Sequence, residues 1–144
     1  MEKFNLQPNE IIKRSELHDR FGGSRQSGIA PSAKTNNVFL FTHPENGEEH
    51  GYYDRWLNHG KQFDYSGEGQ TGDQEMKRGN KAILEHKLDG RALHVFEHAG
   101  QDGYVRYKGQ YQISESQAYS EKIEHSTNNG PARKVFIFHL DKVE

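Results

Sequence analysis

Between Tyr104 and Ile113 the chain alternates strictly. Val105, Tyr107, Tyr111 and Ile113 are apolar or aromatic, and Arg106, Lys108, Gln110 and Gln112 between them are polar. A period of two predicts a strand with one face on a core. Gly109 falls on the apolar side and predicts a bulge or bend there. Leu93 to His98 predicts a partner strand, joined to the first by AGQDG, which has the composition of a hairpin turn. Asn37 to Thr42 and Val135 to Leu140 carry continuous apolar runs, as strands buried on both faces do. Gln62 to Ser66 predicts a fifth, shorter strand.

Helical spacing is weaker. Glu10 to Phe21 places Ile11, Ile12 and Leu17 on one side and stops at Gly22-Gly23. Asp73 to Leu88 brings Met76, Ile83, Leu84 and Leu88 near one face, with Asp73 as a candidate cap. Gly79 within that stretch costs about 1 kcal/mol, so a start after Asn80 is an alternative. Residues 1–13 read largely as a loose lead-in. Residues 22–34, 43–51 and 125–132 are rich in glycine, proline and small polar residues and read as loops. The strands are mostly consecutive, which favours antiparallel pairing over βαβ crossovers. The expected fold is therefore α+β, a curved, barrel-like, mostly antiparallel sheet with one or two flanking helices.

The chain has 144 residues, enough for one domain over 1–144. Only 31% of them are hydrophobic, so the core leans on eight Phe, seven Tyr and one Trp. The absence of cysteine excludes disulfides and thiolate metal sites. The N-terminal sequence has no apolar core of signal-peptide length and no segment approaches a membrane span, so a cytoplasmic protein is expected. The formal net charge of −2 gives no global attraction to nucleic acid. Bases nevertheless cluster at Lys13/Arg14, Arg20/Arg25, Lys77/Arg78/Lys81 and Arg133/Lys134, and a neutral total can hide a basic face.

Gly67 to Gly72 formally spells G-x-G-x-x-G, but no βαβ unit surrounds it, and tight-turn glycines explain it better. His94 and His98 share a strand face without a third ligand. Asp64, Glu75 and Lys77 resemble a metal-nuclease set, as chance allows in a chain with 28% charged residues. No catalytic residue, metal or cofactor is expected. The densest chemistry lies in GYYDRWLNHGKQFDYSGEGQTG, residues 51–72. Tyr52, Tyr53, Trp56 and Tyr65 offer flat faces, Asp54 and Ser66 offer hydrogen-bonding groups, and glycines admit close backbone approach. Such an inventory suits a slot for a nucleobase.

The ordered series GGSRQSGI, VFLF, GYYDRW, G-x-x-F-x-Y-S-G-x-G, G-N-x-A-I, LHVFE, VRYKGQY and VFIFHL resembles the SRA (SET- and RING-associated, or YDG) domain. It is most similar to the prokaryotic branch, typically fused to HNH endonucleases of modification-dependent restriction. The likeness runs from about Arg14 to Leu140. It implies a non-catalytic module that binds double-stranded DNA and rotates 5-methylcytosine or 5-hydroxymethylcytosine into a pocket. Carried over by motif, Tyr52 or Tyr53 and Tyr65 would sandwich the ring, with Trp56 as a rival. Asp54 would accept from the cytosine amine, Ser66 would bond the base edge, and Gly67 would give backbone room. Arg25, Gln26 and Ser27 match the loop that enters the duplex. Lys34, Arg78, Lys81 and Arg133 are the expected phosphate contacts. The second inserting finger of eukaryotic members has no counterpart. The chain stops soon after its last predicted strand, so a longer endonuclease, dimerising through a further C-terminal domain, is expected. The other readings are a small metal-dependent nuclease, with Asp54, Asp64, Glu75 and Lys77, or a PUA-like module for RNA or a modified nucleotide.

Overall fold

The computed structural model describes residues 3–43 and 52–143. After His43, the expected acidic loop lies outside the described residues. In chain order the elements are β1 (Ile11–Lys13), α1 (Arg14–Phe21), β2 (Ile29–Pro31), β3 (Asn37–Thr42), β4 (Arg55–Leu57), β5 (Gln62–Ser66), α2 (Arg78–Leu84), β6 (Ala92–His98), β7 (Tyr104–Ile113), β8 (Tyr119–His125) and β9 (Ala132–Lys142). Short 3-10 turns cover Asn58–Gly60 and Thr127–Asn129.

The nine strands among the described residues form one sheet ordered β2-β3-β6-β7-β9-β5-β4, with β1 against β7 and β8 against β9. The sheet does not close, so the barrel-like expectation is corrected to an open sheet. All pairs are antiparallel except β3 with β6, which run parallel with Asn37 opposite Ala92 and Thr42 opposite Glu97. This pair needs a crossover, supplied by the whole stretch from β4 to α2.

The five expected strands are all present. β1, β2 and β4 have three residues each, too few to show a period. β8 (YSEKIEH) is mostly exposed and therefore polar. The bulge expected at Gly109 is real. Val95 pairs Gly109 and Phe96 pairs Tyr107, which leaves Lys108 unpaired, and Gly109 holds φ +128.

Two clusters form the core, one on each face of β3. Val38 and Leu40 join Phe63, Tyr65, Ile83, Leu93, Val95, Tyr111 and Phe138. Phe39 joins Leu17, Phe21, Phe96 and Tyr107, with Phe41 packed beside them. That is why β3 reads as an unbroken apolar run. Phe4, in the stretch expected to be a loose lead-in, stacks on His94 at 3.9 Å and meets Phe21 at 5.1 Å.

Both helices are shorter than expected. The first begins only at Arg14, because Ile11–Lys13 pairs with β7. The second keeps Arg78–Leu84 and not Asp73–Leu88. Asp73 does not cap it; its carboxylate accepts the Lys134 N–H at 2.8 Å. Glu68 does that work from another loop, accepting the Gly79 N–H at 2.8 Å. An acid there also complements the helix N-terminus. Asn80 is buried and ties the same loop, accepting from Glu68 N–H at 2.7 Å and donating to the Glu75 carbonyl at 2.9 Å. Gly79-Asn80 thus belongs to the helix and joins it to the loop that follows β5.

Candidate nucleobase cavity

β5 ends in Tyr65 and Ser66, and the chain entering β4 brings Asp54 alongside it. The Asp54 carboxylate is held from two sides. Oδ1 accepts the Ser66 backbone N–H at 2.8 Å and Oδ2 accepts the Thr42 hydroxyl at 2.6 Å. Three segments far apart in sequence therefore fix one acid. Asp54, Tyr65, Ser66 and Tyr52 line a cavity of about 600 Å³, with Phe41 and Thr42 from β3. Gln26 and Ser27 line it from the loop before β2, and Arg14, His98 and Tyr104 complete other parts of the wall.

Burial pushes the Asp54 carboxyl up to about 6, against the hydrogen bonds from Thr42 and Ser66 that pull it down. At neutral pH it is mostly ionised. The bonds from Thr42 and Ser66 take up to three lone-pair sites, and an ionised carboxylate has about four, so acceptor capacity remains for a ligand donor. Burial, then the nearby Asp54 charge, pushes the Tyr65 phenol well above its ordinary range, so it stays neutral. Its hydroxyl donates toward the Gly28 and Phe41 carbonyls, each 3.0 Å away. One phenol thus ties the loop before β2 to β3 at the cavity. Burial also raises Tyr52, opposed by hydrogen bonding to the Gln70 side chain and the Gly69 backbone.

The remaining candidate positions separate. Tyr53 points away from this cavity: its hydroxyl donates to the His125 carbonyl at 2.9 Å, and it lines a smaller hollow of about 250 Å³. Its backbone N–H donates to Ser66 Oγ at 2.6 Å, which positions Ser66. Trp56 stacks on Phe63 at 4.0 Å and donates to Glu97 at 2.9 Å, so its face is already covered. Gly67 lies behind the wall. A Cβ there would come within 2.8 Å of Asn80 Oδ1 and Gln74 Oε1.

Arg25 turns back from its loop tip, pairing with Asp19 and donating to the Ser15 carbonyl at 3.3 Å. Arg133 is 4% exposed and donates to the Gly69 and Gln70 carbonyls at 2.9 and 3.2 Å. It braces the loop carrying Gln70. Lys34 is exposed and donates to the Asp19 carbonyl at 2.9 Å. Arg78 and Lys81 are exposed along a second groove of about 1100 Å³. That groove shares Ser27, Tyr52, Glu68 and Gln70 with the cavity of Asp54, so the two hollows are continuous.

Sequence reasoning missed Thr42, Phe41 and Arg14. Thr42 sits at the end of an apolar run, and only the pairing of β3 beside β5 reveals where its hydroxyl goes. Among the described residues no cluster of His, Asp or Glu could hold a metal. Asp64 bonds His139 at 2.8 Å, and Glu75 pairs with Lys77 at 3.4 Å away from Asp54. His94 is buried against Tyr107 and Asn37, and burial pushes it down to about 3. Among the described residues, no helix is long and apolar enough to cross a membrane.

The chain matches the family described as "ScoMcrA-like, SRA domain" over residues 8–144. No curated protein matches it in a sequence comparison. Among solved structures it is similar to the Type IV phosphorothioation-dependent restriction endonuclease ScoMcrA, at 22% identity and a TM-score of 0.68 over 96% of this chain. It is also similar to the DNA recognition domain of the cytosine modification-dependent restriction endonuclease LpnPI, at 15% identity and a TM-score of 0.67 over 89% of this chain. A third similar structure is the SUVH5 SRA domain in complex with hemi-methylated CG DNA, at 24% identity and a TM-score of 0.65, covering 96% of this chain and 89% of that one. The chain spans 28% of the ScoMcrA chain and 66% of the LpnPI chain. This chain belongs to the SRA domain family.

Proposed function

We propose that this domain reads modified cytosine in double-stranded DNA by rotating the base into the cavity of Asp54, Tyr52 and Tyr65, with no catalysis of its own. One observation carries the reading: an acid and two phenols, brought together only by folding, line a single hollow. The neighbours support it, since SUVH5 is recorded with hemi-methylated DNA and LpnPI as cytosine modification-dependent.

The energetics are consistent with that role. Unstacking and unpairing a base costs a few kcal/mol. Stacking on an aromatic returns about 1–3 kcal/mol, and bonds to the base edge return about as much when bidentate. Net affinity then comes from phosphates, and the exposed candidates are Lys34 and, along the groove, Arg78 and Lys81. Cytosine presents an amine where thymine presents a carbonyl. The Asp54 carboxylate pairs with the amine and opposes the carbonyl, which selects cytosine. Burying one methyl is worth about 0.8 kcal/mol, or roughly fourfold, so preference for methylcytosine over plain cytosine is moderate.

Gln26 and Ser27 reach from the cavity wall to the loop tip and would fill the vacated stack. The domain is the recognition part of a longer modification-dependent endonuclease that acts in the cytoplasm and dimerises outside this domain. The metal-nuclease reading is not favoured, because Glu75 and Lys77 pair with each other and do not join Asp54. Calorimetry or gel shift on one duplex carrying C, methylcytosine, hydroxymethylcytosine or T at a single position tests the proposal. The modified cytosines should bind tightest and T weakest. Equal binding to all four would overturn it.

A further inference from the structure

Arg14 opens α1 and has no assigned role, yet its side chain makes three hydrogen bonds and a ring contact. Its Nε–H donates to His18 Nε2 at 3.0 Å. One Nη donates to two carbonyls, Ser24 at 3.1 Å and Ser27 more closely. Its guanidinium lies over the Phe41 ring, 3.7 Å from the centroid. His18 accepts from Arg14 through Nε2, so its proton sits on Nδ1 and donates to the Gly22 carbonyl at 2.8 Å. A strap therefore runs from the cavity wall, through Phe41 and Arg14, to both ends of the Ser24–Ser27 turn.

The turn's other tether to α1 is Arg25, which pairs with Asp19 and donates to the Ser15 carbonyl. Ser24, Arg25 and Gln26 are exposed. Its internal support is Ser24 Oγ, which accepts the N–H groups of Gln26 and Ser27 at 3.2 Å each. Arg14 also lines the cavity itself. We infer that Arg14 is the positioning residue that presents the Ser24–Ser27 turn for entry into the duplex and couples that turn to the base cavity through Phe41. The inference rests on the base-flipping reading above. Lysine cannot replace it, because a single ammonium cannot bond His18 and the two carbonyls while a planar group stacks on the Phe41 ring. Burial lowers the Arg14 pKa to about 10, so the strap remains charged at neutral pH.

The experiment compares wild type with Arg14→Lys on three duplexes: unmodified, methylcytosine opposite guanine, and methylcytosine opposite an abasic site. With the opposite base absent, no vacated partner needs support from the turn. Arg14→Lys should bind the intact methylated duplex about tenfold more weakly, the effect of losing a charge-assisted hydrogen bond. On the abasic duplex the deficit should shrink to about threefold or less. The slope of log affinity against log salt should not change, because the substitution keeps the positive charge. An undiminished affinity on the intact duplex, or an equal deficit on both methylated duplexes, would overturn the assignment. If circular dichroism shows Arg14→Lys unfolded, His18→Gln, which frees the guanidinium but keeps its charge, is put to the same comparison. Should wild type fail to separate methylated from unmodified DNA, the base-flipping reading itself falls. Wild-type discrimination with an unaffected variant sinks only the role of Arg14.

Discussion

Thr42 Oγ1 lies 2.6 Å from Asp54 Oδ2 and donates its proton there. The two residues are twelve positions apart, on β3 and on the approach to β4, and neither element pairs with the other. The bond leaves the Asp54 carboxylate one orientation in the cavity. It also lowers the pKa of an acid that burial has raised.

Thr42→Val should therefore disturb both stability and binding. The loss of one hydrogen bond to a buried charged group costs about 1.5–3 kcal/mol. Asp54 then becomes harder to ionise and free to rotate. Binding of methylated duplex at pH 7 should weaken by about tenfold or more, which titration calorimetry can read. Thr42→Ser, which restores the hydroxyl, should recover most of it.

Asp54 leaves a signature in the pH dependence of stability. Its folded value of about 6 lies above the ordinary 3.8, so the native state holds the proton more tightly than the unfolded chain. Its contribution is fully present below pH 3.8 and is lost as pH rises through 6. Asn at this position does not titrate. Urea unfolding should show wild type losing ground to Asp54→Asn between pH 4 and pH 7, by at most about 3 kcal/mol. The same variant should lose its discrimination of cytosine from thymine. A difference that does not move with pH would show that Asp54 is not the buried acid described.

Arg133 and Lys81 should behave oppositely. The buried Arg133 guanidinium holds the Gly69 and Gln70 carbonyls, so Arg133→Met should cost about 1–3 kcal/mol of stability and leave the salt slope of DNA binding unchanged. Lys81 is exposed beside the groove. Lys81→Ala should leave the melting temperature alone and lower the salt slope by about 0.9. Thermal scans and salt titrations on both variants decide it.

Gly67→Ala tests the wall behind the cavity. The added methyl meets Asn80 Oδ1 and Gln74 Oε1, both at 2.8 Å. Those oxygens already accept the Glu68 and Phe136 N–H groups. Overpacking of this kind costs about 1–3 kcal/mol, and chemical denaturation should show a loss of that size with weaker DNA binding.

Tyr52 and Trp56 should part company. Tyr52→Ala removes a ring from the cavity and should cost about 1–3 kcal/mol in binding the modified base. Trp56→Phe keeps a ring on Phe63 outside the cavity and should leave DNA affinity unchanged, as a shift assay can show.

Much of this architecture is legible in the residues themselves. The alternation of Tyr104–Ile113 reports one solvent-facing side, and every buried position in that strand is an expected one. The run at Asn37–Thr42 reports two covered faces, and both clusters of the core do meet on it. Strands of three residues, and a polar edge strand such as Tyr119–His125, carry no such record, since period needs length and burial.

The cavity is a different case. Its rings, its acid and its glycines were identifiable by type, because stacking and hydrogen bonding require those groups wherever they sit. Which tyrosine faces inward was not, because neighbouring residues around Asp54 point opposite ways and the choice depends on the register of β4 on β5. Arg133 looked like a surface cation, and only its burial under the Gly69–Gln70 carbonyls makes it a brace. Thr42 looked like nothing in particular, and Arg14 like one base of the Lys13/Arg14 pair. Local pattern, then, settled the strands and the chemical inventory of this protein, since both are written in adjacent residues. The parallel joining of β3 to β6 and the meeting of Thr42, Asp54 and Ser66 were decided by tertiary structure alone, because they are distances between segments that the order of residues does not contain.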